Sequence, residues 1–169
     1  MGKTYLGLGS NLGDREDNLL RAINWIKNGY PILDISSIYE TTPVGYREQP
    51  SFLNMVLLID SGKSTPHDLL NFVKKIELKL GRKKSFQWGP RVIDIDILYM
   101  DGIEVDSEDL TVPHRELLNR KFFLVPLSEI TDHIIIKSRR MNLEERIQKI
   151  DEDAGSVYLY KSRENLRYG

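Results

Sequence analysis

Up to residue 100 the chain falls into six blocks whose apolar positions recur either every second residue or at helical spacing. Thr4–Leu8 reads as a strand that runs into Gly7-Leu8-Gly9-Ser10-Asn11-Leu12-Gly13. Gly7 and Gly9 share one face of it and leave that face bare, which permits close approach to the sheet. Asp14 is placed to cap a helix with Asp17 in its first turn and Leu19, Ile23 and Ile26 along its apolar stripe; Gly29 and Pro31 stop it. Ile32–Tyr39 returns as one strand and Phe52–Asp60 as the next. Thr65-Pro66 opens a second helix with Leu69, Phe72, Val73, Ile76 and Leu80 buried and Gly81 as its stop. A strand from Val92 to Tyr99 follows. This β-α-β-β-α-β order predicts an α+β, ferredoxin-like antiparallel sheet with two helices on one face, the other face being available for a site.

Beyond residue 100, Asp101-Gly102 is a hairpin signal because both positions tolerate positive φ. A short helical turn is expected near Asn119-Arg120, a helix over Phe122–Ile130 and a strand over Ile134–Ile136. Asn142 and Glu145 have the spacing of a capping box before Leu143, Ile147 and Ile150. Val157–Tyr160 reads as a last strand, and the polar tail after it is expected to fray. These C-terminal helices and strands add to a single domain spanning 1–169. The segment Glu40–Pro50 is a Pro- and Gly-punctuated loop of the length that binding loops have.

Composition narrows the chemistry. The 24 Lys+Arg against 25 Asp+Glu leave no global field to recruit nucleic acid or membrane, so any anion site must be local. There is no cysteine, which excludes disulfides, thiolate metal sites and cysteine nucleophiles, and three histidines argue against a multi-histidine zinc site. No apolar run is long enough to span a bilayer and no signal peptide is visible, so a cytoplasmic monomer is expected.

The chemically odd stretch is Trp88-Gly89-Pro90-Arg91-Val92-Ile93-Asp94-Ile95-Asp96. Asp94 and Asp96 project from the same side of a strand, together with Val92 and Leu98. Like charges so placed repel unless a cation sits between them or a proton is shared. A hard divalent cation fits, and magnesium is usually held by one or two carboxylates plus substrate phosphates. Arg82, Lys83, Lys84, Arg91, His114, Arg115 and Arg120 lie nearby in sequence. Each alone reads as a solvated charge, whereas together they suit phosphoryl transfer, which needs positioning and charge neutralisation. Gly62-Lys63-Ser64 is not a phosphate-binding P-loop, since Leu57 stands where its first glycine belongs. Asn54, a polar amide in an apolar strand, either bonds the adjacent loop or recognises a ligand. Phe52, Phe86, Trp88 and Phe122 are either core aromatics or a sandwich for a flat heterocycle. Glu77 and Lys74 flank the second helix's stripe, where such residues are usually solvated. Two rivals remain: a dinucleotide-binding domain, weakened by the glycine spacing, and a non-catalytic module with a structural cation.

Gly9-Ser10-Asn11-Leu12-Gly13-Asp14, Ser37-x-Tyr39-x-Thr41-x-Pro43-x-Gly45, Gln49-Pro50-x-Phe52-x-Asn54, Ile76-Glu77-x-x-x-Gly81-Arg82, the Trp88–Asp96 element, Val112-Pro113-His114 and Arg120-x-Phe122 resemble, in order, the 6-hydroxymethyl-7,8-dihydropterin pyrophosphokinases of folate biosynthesis. The resemblance covers about residues 5–130. It implies pyrophosphate transfer from ATP to the pterin hydroxymethyl oxygen with release of AMP, and two Mg²⁺ ions held by Asp94 and Asp96. Arg82 and Arg91 would then follow the transferring charge. Lys74, Glu77, Trp88, Ile97, Thr111, His114, Arg115 and Arg120 would line the nucleotide. Thr41, Thr42, Val44, Phe52, Asn54, Trp88, Asp94 and Phe122 would surround the pterin. Loops 40–51 and 82–91 would move on binding. Lys83, Lys84, Gln87 and Asp109 depart from residues seen in some relatives.

Overall fold

The computed structural model describes residues 2–43, 47–83, 85–87, 89–151 and 155–168. β1 (Lys3–Ser10) and β4 (Phe52–Asp60) form the centre of an antiparallel sheet, with β5 (Asp94–Met100) at one edge beside β1, and β2 (Ile32–Ile35) and β3 (Ile38–Thr41) both pairing with β4. The ferredoxin-like α+β expectation holds. α1 (Arg15–Gly29) and α2 (Pro66–Lys79) cover one face. The Asp14 side chain caps α1 by accepting from Asp17 N–H, and Thr65 with Asp68 forms a reciprocal capping box on α2. Leu19, Ile23, Ile26, Leu69, Val73 and Ile76 pack against Leu6, Leu8, Leu57, Ile59, Ile95 and Ile97.

The opposite face is only half covered. Tyr5, Val56, Leu58, Leu98 and Tyr99 pack beneath α3 (Lys121–Ile130) and α4 (Leu143–Gln148), which contribute Phe123, Leu124, Leu127 and Leu143. β8 (His133–Ile136) and β9 (Arg139–Asn142) form a separate hairpin. The remaining half of that face, bearing Gly7, Gly9, Asn54, Asp94 and Asp96, stays open.

Several expectations are corrected. The strand expected over Ile32–Tyr39 is two strands, because Ser36 and Ser37 break it. Ser36 exchanges hydrogen bonds with Val56, while Ser37 turns its N–H and hydroxyl to the Glu129 carboxylate, both at 2.9 Å. The strand expected from Val92 begins at Asp94, because the backbone of Arg91 is bound by Asn11. After Asp101-Gly102 only the single Met100–Ile103 bridge forms; β6 (Val105–Asp106) pairs instead with β7 (Thr111–Val112). β9 went unforeseen since Lys137 and Ser138, with φ of 49° and 63°, make its turn without glycine or asparagine.

The tail does not fray. β10 (Val157–Lys161) extends the main sheet along β3. Arg163 N–H donates to Ser37 Oγ at 3.0 Å, and its guanidinium to Ile35 O at 3.3 Å. Leu166 is buried in the helix-side core and Tyr168 packs on it. Replacing Leu166 with Ala should therefore cost about 2–4 kcal/mol of unfolding free energy in a urea titration, the range for a truncated core leucine. A frayed tail would show under about 0.5 kcal/mol.

Candidate active site

The site is built across three strands. In the sheet register Gly9 lies between Asp94 on β5 and Asn54 on β4, and Gly7 lies between Asp96 and Val56. Asp94 and Asn54 are thus two strand spacings apart, about 9–10 Å, with bare backbone between them. A β-carbon at Gly9 would sit 2.8 Å from Asn54 Oδ1, and one at Gly7 3.2 Å from the Leu98 side chain. Glycine keeps this floor flat. Above it opens a cavity of about 660 Å³, within the size range of small-molecule sites.

Asn54 is buried at one end, its amide donating to Thr41 Oγ1 at 2.7 Å. This partner is a side chain rather than loop backbone, and it fixes the amide facing the cavity. Thr42, Phe52 and Phe122 border the same end. Phe122 packs on Phe123 at 4.6 Å between centroids, and Phe123 meets the edge of His114 at 4.9 Å. Phe123 escaped the sequence reading, though it adjoins the Arg120-x-Phe122 element.

Negative charge converges at the other end. Glu77 is buried, not solvated as helix charges usually are; its Oε2 accepts from Ile95 N–H at 3.1 Å and from the Arg82 guanidinium. Arg82 also donates to Asp94 Oδ1 at 2.9 Å, and Arg91 donates to Asp94 Oδ2 at 3.1 Å. Asp94 is bracketed by two guanidiniums. Among the described residues, Asp96's ion-pair partner is His114 Nε2 at 3.8 Å, too long for a hydrogen bond. Burial, then the charges of Asp94 and Glu77, push the Asp96 carboxyl well above the usual carboxylate range. Burial and Asp94 likewise raise Glu77, while burial lowers His114. Arg82 loses some affinity for its proton through burial but gains more from Asp94 and Glu77. The arrangement is short of positive charge at Asp96.

That shortage fits a hard divalent cation. Among the described residues no cluster of three or more His, Asp or Glu side chains is set to hold a metal by itself. Two carboxylates plus oxygens from water and a phosphate chain match the ligand habits of magnesium. Lys74, Thr111, His114, Arg115 and Arg120 border the same cavity, as does Ile97, although the Ile97 side chain is buried in the helix-side core. Asp109 at the rim is engaged by His67 at 2.9 Å and Ser107 at 3.0 Å. The predicted positions Val44 and Trp88 lie outside the described residues. All the other predicted site residues border this one cavity.

The family model described as 7,8-dihydro-6-hydroxymethylpterin-pyrophosphokinase (HPPK) matches residues 5–132. The chain is 43% identical over 145 residues to the 2-amino-4-hydroxy-6-hydroxymethyldihydropteridine pyrophosphokinase of Aquifex aeolicus, covering 86% of this chain and 90% of that protein. It is 42% identical over 132 residues to the protein of the same name from Bacillus subtilis, covering 77% and 78%. Against the folic acid synthesis protein FOL1 of Dictyostelium discoideum it is 42% identical over 144 residues, 82% of this chain but only 22% of that longer protein. A solved Plasmodium falciparum HPPK-DHPS structure superposes with a TM-score of 0.69 at 15% identity, covering 88% of this chain and 45% of that one, a likeness of fold.

The raised Asp96 carboxyl has a sign that can be tested. A carboxyl whose folded-state pKa is raised contributes stability below its unfolded value near 4 and loses it as pH rises through the folded value. At pH 7.5 without divalent cation, the Asp96 carboxyl is therefore a cost to the fold. Asp96→Asn should raise the thermal midpoint measured in EDTA by about 2–4 °C, the shift that about 1 kcal/mol makes in a domain this size. An unchanged or lower midpoint would contradict the charge shortage.

Proposed function

Because this chain belongs to the 7,8-dihydro-6-hydroxymethylpterin-pyrophosphokinase family, we propose that its cavity carries pyrophosphate from ATP to the hydroxymethyl oxygen of 6-hydroxymethyl-7,8-dihydropterin. The observation that supports this most is the glycine floor, which separates the buried Asn54 amide from the Asp94/Asp96 pair by two strand spacings. A flat heterocycle held at Asn54 extends its hydroxymethyl arm along Gly9 toward the carboxylates. Asn54 reads the edge of the ring, Thr41 and Thr42 border it, and Phe52 and Phe122 supply apolar surface.

The pterin oxygen attacks the β-phosphorus, the bond from that phosphorus to the α-phosphate oxygen breaks, and AMP leaves. In this reading Asp94 accepts a hydrogen bond from the attacking hydroxyl, whose proton then passes to solvent. Asp94 and Asp96 would hold two Mg²⁺ ions. Bound magnesium supplies charge neutralisation along the phosphate chain. Arg82 and Arg91, which hold Asp94 here, would serve the phosphates in the loaded site, with loops 40–51 and 82–91 moving. His114, Arg115 and Arg120 bind phosphate oxygens, and Lys74, Glu77, Ile97 and Thr111 border the nucleoside. The residues 1–169 act as one domain and a monomer in the cytoplasm; no helix among the described residues is long and apolar enough to cross a membrane.

Incubation with ATP, Mg²⁺ and 6-hydroxymethyl-7,8-dihydropterin should yield AMP and the pterin diphosphate in equal amounts. Without AMP the proposal fails. Asp94→Ala should lower kcat at least about 10²–10³-fold, the scale of losing a group that stabilises transition-state charge. Asn54→Ala should instead weaken pterin binding about 10-fold or more, as loss of one or two hydrogen bonds implies. Its affinity for nucleotide alone should stay within about threefold, which equilibrium titration of each ligand separately would check.

A further inference from the structure

The strand β10 adds little apolar core of its own. Tyr158, Leu159 and Tyr160 are 64%, 61% and 44% exposed, yet the strand is tied down at both ends. At its C-terminal end Lys161 Nζ donates to Glu16 Oε1 at 2.6 Å, Arg163 holds Ser37 and Ile35, and Leu166 is buried. At its N-terminal end the contact with β3 runs one residue past the end of that strand. Thr42 N–H donates to Ser156 O at 3.2 Å, and Ser156 N–H donates to Thr42 Oγ1 at 2.9 Å. β10 lies beyond residue 132, where the family match ends.

This reciprocal pair sits at the root of the pterin end. β3 lies between β4 and β10, and Thr41 stands opposite Phe52 on one side and Val157 on the other. Thr41 Oγ1 accepts from the Asn54 amide, while Asn54 Oδ1 is turned to the glycine floor, 2.8 Å from where a Gly9 β-carbon would be. A primary amide rotated by half a turn exchanges donor for acceptor along its edge. What Asn54 offers to a heterocycle therefore depends on where Thr41 stands. Thr42, next in the chain, borders the cavity itself. A strand end held from one side only is among the first parts of a fold to open. β10 supplies the second side.

We propose that β10 positions the pterin subsite: by clamping Thr42 through Ser156 it holds the end of β3, and with it the orientation in which Asn54 meets the ring. This rests on the pyrophosphokinase reading above. Ser156 is a positioning residue and touches no reacting atom. The carboxylates on β5 lie three strands away from β3, so the nucleotide end does not depend on it.

The test measures two dissociation constants. One is that of 6-hydroxymethyl-7,8-dihydropterin under saturating magnesium α,β-methylene-ATP, and the other is that of the nucleotide analogue alone. Ser156→Pro deletes the N–H that Thr42 Oγ1 accepts and should weaken the pterin about 3–10-fold, the fold-change that one hydrogen bond carries. Ser156→Ala keeps the N–H and should stay within about twofold, as an ordinary surface substitution does. Thr42→Val deletes the acceptor and should reproduce the loss, whereas Thr42→Ser keeps the hydroxyl and should bind as the unaltered protein does. The analogue should bind every variant within about twofold of the unaltered protein. In an Asn54→Ala background Ser156→Pro and Thr42→Val should each add less than about twofold, because the carboxamide they act through is gone. Should Ser156→Pro fail to fold, Thr42→Val and Thr42→Ser carry the comparison in both backgrounds. Unchanged pterin affinity in the folded variants, equal weakening of both ligands, or losses that add fully to Asn54→Ala would each overturn the proposal. AMP formation by the unaltered protein separates the two levels: AMP without a pterin-selective loss removes only the role of β10, whereas no AMP removes the reading beneath it.

Discussion

Three carboxylates, Glu77, Asp94 and Asp96, converge within one pocket, and their mutual repulsion is the constraint around which the site is arranged. Burying such a cluster is costly unless each charge is matched. The chain matches two of them itself. Arg82 bridges Glu77 and Asp94, Arg91 takes the second oxygen of Asp94, and the Ile95 N–H steadies Glu77. Among the described residues, no lysine or arginine forms an ion pair with Asp96. Side-chain guanidiniums thus supply part of the charge that the proposed divalent ion would bring, and the deficit at Asp96 is the one such an ion would fill.

The fold makes this possible by dividing one sheet face into two territories. Over Tyr5, Val56, Leu58 and Leu98 the C-terminal elements lay down a dry, packed wall. Over Gly7, Gly9 and Asn54 the face stays open, and the wall supplies Phe122, Phe123, His114 and Arg120 to its flank. The helix-side core beneath buries Ile95 and Ile97, so Asp94 and Asp96, alternating with them along β5, are presented from a strand anchored in that core.

Much of this was legible from residues alone, for physical reasons that differ from case to case. The helices announced themselves through caps and apolar stripes, and Asp94 and Asp96 through alternation on a strand. Gly7 and Gly9 were recognisable as bare positions, but not what stood across from them, because register is set by long-range pairing. Glu77 was misjudged as a solvated flank residue: its burial depends on Arg82 folding back from the next loop and on Ile95 from a distant strand. The break at Ser36-Ser37 depends on Glu129, ninety-two residues away. The β8–β9 turn uses Lys137 and Ser138 in backbone conformations that their identities do not advertise. Leu166 sits in a charged stretch whose composition resembles a loose end, and only the folded helix-side core gives it somewhere to go.

The pairing of β10 with β3, followed by burial of Leu166, bears on how the chain is made as much as on how it is held. Synthesis proceeds from the N-terminus, and domains generally fold as units once their parts have emerged. Here one edge of the central sheet and a piece of the first-laid core wait for residues 157–168. Until those leave the ribosome, β3 presents an unpaired edge and the helix-side core lacks Leu166, both of them openings for other chains. A nascent copy of this protein is therefore exposed to mispairing for as long as residues 157–168 have yet to emerge.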